Sequence, residues 1–246
     1  KLISDRGKAM TRKIGKTITR GNLALVAVLG SAWQLRAQDV KSPYPRMAPL
    51  DQYFITDRNA EIALARTAAP KSISADATVM ALGRHGYETA VKGNNGFVCI
   101  VERAWMSPFD HPEFWNPKNR SPICYNPPAA RSILPYTFKR TELVLAGLTN
   151  PQMLDSIKAA VAKKELPTPE PAAMSYMLSK DSYLNDKVGH WFPHLMFHIP
   201  KADGASWGAN LDGSPVVLDP RLVPEPETIF FVPVGKWSDG TAAPVM

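Results

Sequence analysis

Cysteine is nearly absent from this chain: 246 residues contain two, Cys99 and Cys124, with no Cys-x-x-Cys spacing between them. That argues against dithiol redox catalysis. Acidic residues are missing from the start of the chain. Residues 1–38 hold eight Lys and Arg against the single acid Asp5, and so carry the whole net charge of +7. Residues 39–246 balance to zero, with 21 basic and 21 acidic side chains, so the bulk of the chain lacks the basic surface a nucleic-acid module needs. Long apolar runs are also lacking. The longest early run, residues 23–29, falls far short of the roughly 20 residues of a spanning helix, so no stable membrane span is expected. A Gly-x-Gly-x-x-Gly turn, a P-loop, Ser-x-x-Lys and His-Glu-x-x-His are missing too, which removes dinucleotide, NTPase, penicillin-binding and zincin readings.

What is present begins with a targeting pattern. Residues 11–20 are basic without an acid, residues 23–29 are apolar, and Gly30, Ser31 and Ala32 are small. That order describes a secretory signal peptide, cleaved after Ala32 or Ala37. Residues 1–37 are therefore expected to be an N-terminal extension and signal, and 38–246 a single periplasmic or secreted domain. Hydrophobic residues make up 45% of the chain, enough for one substantial core. In an exported protein the even pair Cys99 and Cys124 is expected to form a disulfide, tying a central strand to a Pro-rich loop.

The elements read as follows. Asp57 caps a helix over 57–67, and strands are expected at 78–82, 87–92 and 97–105. Gly93-Asn94-Asn95-Gly96 predicts a hairpin between the last two. The strand 97–105 is apolar on both faces and should be covered. Residues 107–128, crowded with Pro and aromatics, predict irregular structure. Helices follow at 137–146 and from Asn150-Pro151, the second with a stripe of Leu154, Ile157 and Val161. Strands are expected again at 174–178, 194–199 and 228–234, Pro233 marking the last as an edge or bulged strand. The class is α+β with a mostly antiparallel sheet.

Four groups of residues bear on chemistry. Gly204-Ala205-Ser206-Trp207-Gly208 matches the G-x-S-x-G elbow, which makes Ser206 a candidate nucleophile, but the turn-forming residues behind it suit a Gly-rich loop better. His190, His194 and His198 share one face if the segment is extended, yet four residues of strand span about 13 Å, too far for neighbours to share an ion. A divalent metal would need one of them with His111, Asp110 or Glu113; otherwise the histidines are hydrogen-bonded among aromatic neighbours. The loop 105–116 combines Trp105, Trp115, Asp110, His111 and Glu113, and either lines a ligand pocket or packs over the sheet as an Ω-loop.

Segments 96–103, 112–117, 207–211 and 234–240 resemble bacterial proteins known only as hypothetical or exported, over about 57–240. The resemblance implies one family-sized domain and carries no activity. The expected function is an exported soluble domain that binds a small organic molecule. As a hydrolase of small esters or lactones it would use His194 or His198 as base, with Asp110 or Glu113 assisting. Trp105, His111, Trp115 and His190 would line the site. The alternative is a non-catalytic periplasmic binding or envelope-associated protein.

Overall fold

The computed structural model describes residues 43–219 and 224–244, so the expected signal peptide and its cleavage points lie outside the described residues. Helix α1 (Arg58–Arg66) begins at the expected cap: extended Asp57 accepts the Asn59 N–H at 2.8 Å, satisfying a first-turn donor. Pro70 does more than end this region, because it stands at the N-cap of a second short helix, α2 (Lys71–Ser74).

Strands β1 (Thr78–Gly83), β2 (Gly86–Val91) and β3 (Val98–Glu102) follow, but the hairpin is not the one expected. β1 and β2 make it, turning at Arg84 and His85, while β3 lies on the other side of β1 and runs parallel to it. Gly93-Asn94-Asn95-Gly96 is instead a crossing over the entrance to β1. There the Asn94 N–H donates to Asp76 O and the Thr78 N–H to Phe97 O, both at 2.9 Å. Gly93 approaches the Ala77–Thr78 backbone so closely that a Cβ would collide with it. Asn-Gly chemistry suits any tight turn, and it does not say which strands the turn joins.

A strand missing from the sequence reading, β4 (Ser121–Tyr125), lies inside the Pro-rich stretch and pairs antiparallel with β3. Its other neighbour pairs only with Cys124 and Tyr125, so the ladder on that side does not extend to the buried Pro122, where a missing N–H is tolerated. Three helices come next: α3 (Pro127–Ser132), α4 (Leu134–Leu145) and α5 (Asn150–Ala162). Asn126 caps the first of them by accepting the Ala129 N–H at 3.0 Å. On α5 the cap is Thr149, one residue earlier than expected, with Gln152 Oε1 accepting the Thr149 N–H at 2.9 Å. Its buried stripe is Met153, Ile157 and Ala160, so the helix is rotated relative to the expected face.

Strands β5 (Met174–Met177), β6 (His194–Pro200), β7 (Val217–Leu218) and β8 (Glu227–Pro233) complete one eight-stranded sheet of order β2-β1-β3-β4-β5-β6-β8-β7. Among the described residues only β1 and β3 are parallel neighbours, so the fold is α+β with a mostly antiparallel sheet. β7 borders β8 only at Phe230 and Phe231, leaving Pro233 on an open stretch. One sheet face carries Val79, Cys99, Val101 and Cys124 packed against Ala65 and Ala68 of the α1 region. The opposite face carries Ile100, Ile123, Tyr125 and Met196 against residues of α3, α4 and α5. β3 is thus covered on both sides, as its unbroken apolar run implies.

The Cys99–Cys124 disulfide is present. Because Cys124 lies on β4, directly opposite Cys99, the bridge joins two neighbouring strands rather than a strand and a loop. Among the described residues no helix is long and apolar enough to cross a membrane.

Candidate functional site

Strand periodicity sets the polar groups of the second face. Ser175 lies opposite Met196 and Met177 opposite His194, so His194, Met196 and His198 share that face with Ser175 and Met177. β8 pairs Ile229 with His198 and Glu227 with Pro200, which brings Glu227 to the same face, diagonal to His198. The outcome is a relay. His198 Nδ1 lies 2.8 Å from Glu227 Oε2, and His198 Nε2 lies 3.0 Å from Ser175 Oγ.

A hydroxyl on one ring nitrogen and a carboxylate on the other is the connectivity of an activated serine. Its surroundings are dry: Ser175 is fully buried and His198 is 2% exposed. Beyond the imidazole, the Tyr125 ring lies 6.5 Å away, and the Tyr125 and Thr137 hydroxyls hydrogen-bond Glu102. Burial lifts the Glu102 carboxyl above the ordinary carboxylate range, against the lowering pull of those hydrogen bonds. Neither of the two concavities described below reaches Ser175.

His194 has a different environment. Its Nδ1 lies 2.8 Å from Phe192 O, which places the ring proton there and leaves Nε2 as an acceptor with no hydrogen-bond partner among the described residues. Trp191, Phe192 and Phe231 surround the ring, and burial lowers its pKa to about 4. The adjoining cavity, bordered by Ser121, Ser179, Ser182 and Trp191, measures about 20 Å³. That is room for one water.

The other expected site residues are scattered. His190 falls outside β6, exposed, edge-on to Trp237 at 5.1 Å. Ser206 donates its hydroxyl to Asp203 O at 2.7 Å, within its own turn. The neighbouring Trp207 stacks on Phe230 at 4.4 Å, on the sheet face opposite His194 and His198, so the elbow motif is a loop cover rather than a nucleophile beside a base. In the loop 105–116, Trp105 is fully buried with its Nε1–H donated to Thr141 Oγ1 at 3.1 Å, and Trp115 is 5% exposed. Both belong to the main core. Glu113 accepts from Asn116 Nδ2 at 2.8 Å, His111 Nδ1 accepts the Glu113 N–H at 3.1 Å, and Asp110 is exposed. Among the described residues no three His, Cys, Asp or Glu side chains are gathered to hold a metal, so His111, His194 and His198 do not form such a group.

A larger concavity lies elsewhere. An open groove of about 440 Å³ runs between the β1–β2 turn and α4, bordered by Arg84, His85, Tyr87, Phe138, Glu142 and Leu145. Sequence reasoning missed it because its two walls are about 55 residues apart and neither carries a motif. It missed Ser175 and Glu227 for a related reason, since each is an ordinary strand residue until pairing sets it beside His198. Comparison with known proteins finds no matching family model, no matching curated protein and no matching solved structure.

Proposed function

We propose that this is an exported domain that binds a small organic molecule in the groove between the Arg84–His85 turn and α4. Size carries the reading. About 440 Å³ falls within the roughly 300–1,000 Å³ of small-molecule sites, whereas the space beside His194 admits one water. Export is supported by the basic-apolar-small order of the first 37 residues and by a chain whose two cysteines are bridged. NMR titration with a panel of small organic acids, amides and lactones tests the binding. Saturable shifts should be confined to residues 84–87 and 138–145. A panel that leaves those amides unmoved removes the groove as a site.

A hydrolase is the second reading, and the Ser175–His198–Glu227 relay is what favours it. Its obstacle is also specific: a fully buried hydroxyl must be uncovered before an ester or lactone can reach it. A fluorophosphonate serine probe on the folded protein decides. Covalent mass at Ser175, lost in Ser175→Ala and His198→Ala, would establish a nucleophile. No labelling at Ser175 leaves the relay as a structural network.

A further inference from the structure

We infer that the groove selects a small aromatic carboxylate; this rests on the groove being the binding site. The choice follows from which of its groups are already engaged. Tyr87 turns its hydroxyl inward and donates it to Val101 O at 2.7 Å, so it offers the groove its ring. Thr141, also on the wall, holds its hydroxyl against the Trp105 indole N–H at 3.1 Å. Glu142, the acid of the groove, is held by Lys139 at 3.1 and 3.2 Å, which offsets its charge. The Tyr87 donor and the anion are therefore committed within the protein, and Thr141, 1% exposed, is buried beneath the wall.

Two kinds of group remain. One is apolar: Phe138 is 37% exposed, large for a ring on a helix surface, and lies 6.2 Å from Tyr87 at an interplanar angle of 40°. Two tilted rings with Leu145 beside them form a surface that an aromatic ring covers well. The other is cationic. Arg84 is exposed on the turn; its guanidinium lies over the Phe54 ring, 6.0 Å from the centroid, but forms no ion pair among the described residues, so its charge is not offset, and His85 stands next to it. A guanidinium fork matches a carboxylate with two parallel hydrogen bonds, which a neutral amide or an amine cannot reproduce. The backbone keeps this end accessible. Gly86 has φ +109°, and a Cβ on it would meet nothing within 4 Å, so the space beside the turn is open.

Three probes of one shape test the inference on the full chain: phenylacetate, phenylacetamide and phenethylamine, titrated by NMR at pH 7 and low salt, where exposed charges are least screened. Phenylacetate should give saturable shifts at residues 84–87 and 138–145. Its dissociation constant should be lower than that of either other probe and rise about fivefold or more in Arg84→Gln. Phe138→Ala should weaken it as well, and both replaced side chains are exposed enough to leave the fold intact, which the unshifted remainder of the spectrum verifies. Equal binding of the amide, or phenylacetate binding unchanged in Arg84→Gln, overturns carboxylate selection while leaving the groove a binding site. No shift from any of the three overturns selection and site together.

Discussion

The two buried histidines of β6 use their ring nitrogens in opposite ways. His198 is engaged on both sides, by Ser175 and Glu227, whereas His194 has Phe192 O on Nδ1 and no hydrogen-bond partner on Nε2 among the described residues. Burial without a counter-charge favours the neutral ring, and the His194 pKa falls to about 4. In the unfolded chain it returns to about 6.5. The unfolded state therefore binds a proton that the folded state refuses between those values. Stability from this residue is complete above about pH 6.5 and is lost as pH falls toward 4, reaching a ceiling of about 3 kcal/mol. Urea unfolding of the wild type and of His194→Gln between pH 4 and 7.5 checks it. The variant should be less stable at neutral pH but lose less on acidification. Parallel curves would show that His194 does not titrate differently on folding.

At the scale of elements, Gly93 shows what local signals convey and what they omit. The turn was legible in Gly93-Asn94-Asn95-Gly96, and so were the strands on either side of it. Which strand lay next to which was not, because β1–β2 and β1–β3 pairing depends on a crossing whose partners, Asp76 and Thr78, precede it in the chain. Strong caps such as Asp57 and an unbroken apolar strand such as β3 were readable, since their causes are local. β4 was hidden by Pro122, and α3 by its own Pro pair, because both look like loop chemistry until neighbours supply the hydrogen bonds. The same limit applied to chemistry: His198 was readable as a titratable group on a strand face, but Ser175 and Glu227 became its partners only through register. Gly93→Ala tests the crossing. Its Cβ would meet the Ala77–Thr78 backbone, an overpacking cost of about 1–3 kcal/mol. Gly235→Ala, where a Cβ meets nothing within 4 Å, is the matched control and should cost far less. Equal losses in the two variants would remove close approach as the reason for Gly93.

For the whole molecule, segments distant in sequence are joined by buried polar links and by one disulfide among the described residues. Arg103 Nη2 meets Glu61 of α1 at 2.9 Å, and Arg140 of α4 grips Glu225 through two contacts at 2.7 and 2.9 Å. The disulfide acts differently, since its strands are already neighbours and it adds little to the native contact map. Its main effect is on the unfolded chain, where it closes a separation of 25 residues and removes conformations worth about 3 kcal/mol. A domain of this size shifts its Tm by roughly 2–4 °C per kcal/mol, so losing the bridge should lower Tm by about 6–12 °C. Packing must be separated from the bridge, because both cysteines are fully buried. Stepwise replacement does this. Cys99→Ala removes the whole bridge and one sulfur; adding Cys124→Ala removes only the second sulfur. Calorimetry should therefore show a large first loss and a small second one. Two equal steps would mean that the sulfurs contribute as packing atoms alone. Protein made in an oxidising compartment should also be lighter by two hydrogens than its reduced form and resist alkylation while folded. Two thiols alkylated without unfolding would overturn both the bridge and the export argument that leans on it.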